Sequence, residues 1–159
     1  MNYMVANEQF EAGAILYFDP FIFQDGGTPK RKYFVVLKRN DTEIILASLP
    51  TSKDSVPATI TKEHGCIERP DIDFNCYYFK GGKPVCVNGF AFPTDTYIYG
   101  FRIKLFDINR FQAQQSECQT IVTIKGQLTD TEYKQLIKCL LHSTSVKRKY
   151  RHMLSEIHL

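Results

Sequence analysis

Up to about residue 125 the apolar positions come in short runs or alternate with polar ones, the signature of β-strands; beyond that they recur every three or four residues. Residues 12–18 predict a first strand, interrupted by Asp19-Pro20, and Phe21-Ile22-Phe23 leads into a cluster of turn formers at 24–29 that predicts a flexible loop. The β-branched and aromatic runs at 32–38 and 42–49 flank a polar turn at 39–41 and predict a hairpin. Residues 50–73, with Pro50, Pro57 and Pro70, predict irregular chain. A second hairpin is expected from 74–79, the turn Lys80-Gly81-Gly82-Lys83-Pro84 and 85–87. Residues 97–106 predict one strand, with Phe101, Ile103 and Leu105 alternating against Arg102 and Lys104, and 120–125 predict the last.

Thr129-Asp130-Thr131-Glu132 then forms a capping box, Thr129 as N-cap with Glu132 three residues on. Tyr133, Leu136, Ile137, Leu140 and Leu141 make one apolar helical face, and Val146, Tyr150, Met153, Leu154 and Ile157 make a second. The expected fold is therefore mainly β with C-terminal helices, an α+β chain. It is read as a single domain: a barrel-like core over about 10–125, then helices over about 129–142 and 144–157. Helices that follow the strands, rather than alternating with them, argue against a doubly wound parallel sheet.

The chain's 159 residues suit one domain, and 20 Lys and Arg against 17 Asp and Glu leave a mild net charge of +3, which does not by itself argue for nucleic acid. The five cysteines (66, 76, 86, 118 and 139) are odd in number, widely spaced and without a CxxC pair. That pattern argues against a disulfide framework or a zinc site and predicts reduced thiols. No basic region followed by an apolar run opens the chain, and no apolar stretch approaches the ~18 residues of a membrane span. A cytoplasmic protein without membrane attachment is expected.

The order of landmarks resembles the MazF/PemK (Kid) toxins. Phe10-Glu11-Ala12-Gly13 leads into the apolar Ala14-Ile15-Leu16-Tyr17-Phe18-Asp19-Pro20, followed by the Gly loop at 25–30 and a basic residue before Tyr33-Phe34-Val35-Val36-Leu37. Leu49-Pro50-Thr51-Ser52-Lys53 is similar to the family's Pro-x-Thr-Ser segment, and Gly126-Gln127-Leu128-Thr129 to its approach to the terminal helix. The resemblance covers roughly 10–53 and 97–141. It departs from the family at Tyr33, which stands where Pro follows Arg, in the long region 53–96 and in the second C-terminal helix. It implies an SH3-like barrel, a homodimer, an antitoxin protein as partner, and metal-independent cleavage of single-stranded RNA without a cofactor. The alternatives are a noncatalytic SH3-like protein-binding module or a CcdB-like toxin acting on a protein target.

Metal-free RNA cleavage needs a base for the ribose 2′-OH, a donor for the charge growing on phosphorus, and an acid for the leaving 5′-oxygen. The resemblance puts Arg31 or Lys32 and the hydroxyls of Thr51 and Ser52 in these roles, against the plainer readings of a solvated charge run and a Ser/Thr turn. His64, the sole histidine outside the C-terminal helical region, is the natural proton carrier, although a lone loop histidine is usually only that. Lys30, Lys53, Lys147, Arg148 and Arg151 are candidates for RNA phosphate contacts. Asp71 and Asp73 beside Pro70 read as a turn rather than a metal site. Tyr77, Tyr78, Tyr97 and Tyr99 read as bases' stacking partners or, more simply, as strand residues. No metal site is expected, and the chain carries no Walker loop, GxGxxG, GxSxG or HExxH.

Overall fold

The structure is a computed structural model and describes residues 10–21, 26–49, 56–117 and 119–159. The strands are β1 (Ala14–Phe21), β2 (Lys30–Arg39), β3 (Glu43–Leu49), β4 (Gly65–Arg69), β5 (Phe74–Phe79), β6 (Thr96–Tyr99), β7 (Ile103–Asp107) and β8 (Ile121–Gln127). The helices are α1 (Ile108–Glu117), α2 (Asp130–Leu141) and α3 (Arg148–Ser155). All pairing is antiparallel, in a five-stranded sheet of order β7-β3-β2-β1-β8 and a three-stranded sheet β4-β5-β6. The fold is α+β with the helices mostly C-terminal, and no closed barrel forms among the described residues.

The central strands of the five-stranded sheet are buried on both faces, which is why β2 and β3 read as continuous apolar runs rather than alternating ones, whereas the edge strand β8 is largely exposed. One face carries Ile15, Val35, Leu37, Ile45, Ala47 and Ile103 against α2, α3 and the inner residues Tyr77, Phe79 and Ile98 of the smaller sheet. The other carries Leu16, Phe18, Phe34, Val36, Ile44 and Leu46 against Ile108 and Phe111 of α1, where Phe18 meets Phe34 and Phe111 edge to face at 5.2 and 5.6 Å. The smaller sheet's outer face packs on Val56 and Ile60.

The hairpin β2–β3 and both C-terminal helices form as expected. Tyr133 on α2 donates its hydroxyl to Leu37 O at 2.6 Å, and Lys38 donates to Met153 O and Glu156 Oε1, both at 2.7 Å, fastening α3 to β2. Burial pushes the Tyr133 phenol up to about 12 from 10.0. A folded-state value above the unfolded one means stability is complete below pH ~10 and is lost as pH rises toward 12. Over that window Tyr133→Phe is expected to flatten the fall of the urea midpoint, by up to about 1.4 kcal/mol per pH unit in free energy. Equal slopes in the two proteins would count against this role.

Four expectations are corrected. β1 continues through Asp19-Pro20, because the pairing with β2 shifts register between Phe18 and Phe21 and so needs no N–H from Pro20. The expected partner 85–87 is not a strand; β5 pairs instead with β4, which lies within the region read as irregular, and with β6. The run 97–106 is two strands in different sheets, parted by a short 3-10 turn at Gly100–Arg102; a Cβ on Gly100 would meet Val146 N at 2.9 Å, so α3's lead-in packs where a side chain would stand. Helix α1 precedes β8, so the helices do not all follow the strands.

Candidate functional site

The chain's chemistry gathers where β4, β5 and the start of α2 meet. His64 stands just before Gly65, the first residue of β4, whose φ of +115° lets the chain turn sharply out of the preceding segment. Glu132 is the third residue of α2. The capping box is only half made: Thr129 Oγ1 accepts the Glu132 N–H at 3.2 Å, but the Thr129 N–H is taken by Val85 O at 3.1 Å. Glu132's side chain, with no backbone donor to return to, turns inward. Its Oε2 accepts the Tyr77 hydroxyl at 2.5 Å and meets His64 Nε2 at 2.7 Å.

The other ring nitrogen fixes the tautomer. His64 Nδ1 lies 3.1 Å from the Lys80 backbone N–H, which can only donate, so Nδ1 accepts and Nε2 carries the proton given to Glu132. The His64 and Glu132 side chains are 12% and 11% exposed, so the contact is shielded from water. Burial first, and then the Glu132 charge, push the Tyr77 phenol far above its ordinary value, keeping it a neutral donor. The same two causes raise the buried Cys86 thiol to about 11, which removes it as a nucleophile.

His64 opens onto a depression of about 560 Å³ walled by Lys62, Lys80, Lys83, Tyr78 and the single acid Glu63. The turn that carries Lys80 and Lys83 depends on its glycines. Gly82 has φ +79°, and a Cβ on Gly81 would stand 2.7–2.9 Å from the backbone of Thr94 and Asp95. Gly81 N–H donates to Asp95 Oδ1 at 2.9 Å, and Lys62 Nζ donates to Tyr97 OH at 3.1 Å. Burial, followed by the Asp95 carboxylate, raises the Tyr78 phenol to about 12. The site is thus a positively charged basin with a carboxylate-held imidazole in its wall.

Of the catalytic and phosphate-contact candidates singled out in the sequence, His64 is the one among the described residues that lines this basin. Arg31 and Lys32 lie in β2, and alternation sends them to opposite faces of the sheet: Arg31 with Val35 and Leu37, Lys32 with Phe34 and Val36. Lys30 is exposed at the start of the same strand, and Thr51, Ser52 and Lys53 lie outside the described residues. Lys147 and Arg148 are exposed and Arg151 half-buried at the start of α3, with Lys147 Nζ 6.0 Å from the Tyr150 ring centre. Tyr78, Tyr97 and Tyr99 are buried in a stacked ladder, their rings 5.3 and 5.9 Å apart, so their faces are occupied by one another and not open to bases. Asp71 pairs with Arg69 and Asp73 accepts from Thr144 Oγ1 at 2.7 Å, a turn as expected. Among the described residues no group of three His, Cys, Asp or Glu is placed to hold a metal ion. No helix among them is long and apolar enough to cross a membrane.

The expectation of reduced thiols throughout is corrected: Cys66 and Cys139 are joined in a disulfide, while Cys76 and Cys86 are buried thiols that form no disulfide. Sequence reasoning missed this bond because its partners stand 73 residues apart and meet only when β4 packs on α2. It also missed Glu132 and the lysine basin, although Lys80-Gly81-Gly82-Lys83 was a signal for an anion-facing turn. Set against known protein families, curated proteins and solved structures, the chain matches none, so its function has to be read from this site.

Proposed function

We propose that this protein is a toxin-like endoribonuclease that cleaves single-stranded RNA without a metal, as its resemblance to the MazF/PemK toxins implies, with the scissile phosphate seated in the basin of Lys62, Lys80 and Lys83. On this reading the five-stranded sheet is the counterpart of the family's SH3-like barrel, and a homodimer and an antitoxin partner remain part of the proposal. The observation that carries it is His64, held by a buried carboxylate in the wall of a lysine-rich basin.

In the proposed reaction Glu132 keeps the proton on Nε2, leaving Nδ1 as the basic nitrogen. The ribose 2′-OH displaces the Lys80 N–H and gives its proton to Nδ1 as the 2′-oxygen attacks phosphorus. The lysine ammonium groups stabilise the added negative charge and are the proton donors available to the departing 5′-oxygen. Breaking the P–O5′ bond leaves a 2′,3′-cyclic phosphate and a free 5′-OH. A second reading, a noncatalytic anion-binding module, is favoured by one observation: both ring nitrogens of His64 are already engaged.

The test is an incubation with a pool of labelled single-stranded RNAs in excess chelator. Wild type is expected to cut, His64→Ala to cut at least about a hundredfold more slowly while still binding, and Lys80→Ala/Lys83→Ala to bind more weakly and with a shallower salt dependence. Binding without cutting supports the second reading. Cleavage that survives in His64→Ala but vanishes in Arg31→Ala/Lys32→Ala would return the chemistry to β2.

A further inference from the structure

We propose that the Cys66–Cys139 bond is a reversible thiol–disulfide modification site, opened by a dithiol reductant, that controls the geometry of the His64–Glu132 pair. This rests on the placement of that pair and not on the substrate proposed above.

The covalent link and the His–Glu contact join the same two pieces of chain. Cys66 lies in β4 two residues after His64, and Cys139 lies in α2 seven residues, or two helical turns, after Glu132. That spacing returns to the same face of the helix, so α2 is fastened to the β4 strand side by side, once through sulfur and once through the imidazole. With the disulfide closed, α2 is held against β4 at the distance the 2.7 Å contact between Nε2 and Oε2 requires. With it open, the pair depends on packing and hydrogen bonds alone.

The two sulfurs differ in access. Cys66 is an exposed residue and lines a second depression of about 360 Å³ with Thr61, Ile67 and Arg69, whereas Cys139 is 2% exposed. A reductant thiolate therefore attacks Cys66 Sγ; the S–S bond breaks and Cys139 leaves as a thiolate that takes up a proton. The reductant's second thiol then attacks the mixed disulfide, freeing Cys66 as a thiol. Two electrons and two protons pass from the dithiol, which becomes a disulfide. The surroundings suit the departing sulfur: Asn75 Nδ2 stands 3.7 Å from each sulfur, placed to donate to the new thiolate, and Cys76 O lies 3.5 Å from Cys139 Sγ, ready to accept the S–H once it is protonated.

The test uses the full chain, air-oxidised and then treated with dithiothreitol. Non-reducing peptide mapping should link Cys66 to Cys139, and dithiol should add the mass of two hydrogens. On reduction, the His64 ring resonances should shift and the amides of residues 132–136 should exchange at least tenfold faster, both reversing on reoxidation while far-UV circular dichroism stays constant. Asn75→Ala should slow the reduction several-fold. The proposal is overturned if dithiol leaves the mass unchanged, if the His64 resonances and amide exchange are the same in both states, or if reduction unfolds the whole chain, since the effect would then not be local to the pair.

Discussion

Reduction of the Cys66–Cys139 bond is expected to lower the stability of the folded chain by roughly 2–4 kcal/mol. The bond closes a loop across 73 residues of sequence, so in the unfolded chain it removes many conformations that the reduced chain regains; the chain-entropy limit for that length is about 4 kcal/mol at room temperature. The native contacts around it set how much of this is realised. Asn75 and the Cys76 carbonyl are placed to satisfy the reduced thiols, so little native energy is lost beyond the cross-link itself. A loss of this size is a large share of the ~5–15 kcal/mol of a typical domain yet leaves it folded, which is what a reversible switch requires. Urea melts with and without reductant measure it, and Cys66→Ser/Cys139→Ser should melt like the reduced wild type and ignore reductant. Coincident oxidised and reduced midpoints would show that the bond constrains nothing.

How much of this was legible in the sequence depended on whether the signal was local. The hairpin β2–β3 and helix α2 were readable because each announces itself within a dozen residues, by β-branched runs around a polar turn or by a capping residue ahead of a helical apolar face. Strand β4 was not: its five residues lie between Pro57 and Pro70, and only Gly65 and Ile67 bury, too short an alternation to stand out from a loop. The run 97–106 carried a strand signal along its whole length, and nothing local says that Gly100 lets the chain pass from one sheet to the other under Val146. Helix α1 does carry a local signal, Asp107 as a cap accepting from Arg110 N at 2.9 Å ahead of Ile108, Phe111 and Gln115. The site followed the same division. His64 is recognisable as a proton carrier from its type alone, but the carboxylate that orients it lies 68 residues away and carries, in sequence, the signature of a reciprocal helix cap. Only the tertiary bond from Thr129 N–H to Val85 O releases it from that role.

Glu132 is therefore the side chain whose loss should be felt most. Its carboxylate accepts from Tyr77 and from His64 Nε2 in a place nearly closed to water, and it stands in the first turn of α2, where a negative charge faces the helix's positive end. Glu132→Ala leaves the buried Tyr77 phenol with only the long contact to Gln135 Oε1 at 3.5 Å and the imidazole N–H without its carboxylate, and is expected to destabilise the fold by roughly 3–5 kcal/mol. Tyr77→Phe removes one donor and leaves the carboxylate its histidine partner, so it should cost only about 1–2 kcal/mol. The decisive measurement is the double-variant cycle. In the Glu132→Ala background the Tyr77 hydroxyl has lost its charged acceptor and keeps only the long contact to Gln135, so Tyr77→Phe should then be nearly neutral, giving a coupling of about 1–3 kcal/mol. If the two costs simply add, the phenol and the carboxylate are not holding one another, and the inward turn of the Glu132 side chain loses its support.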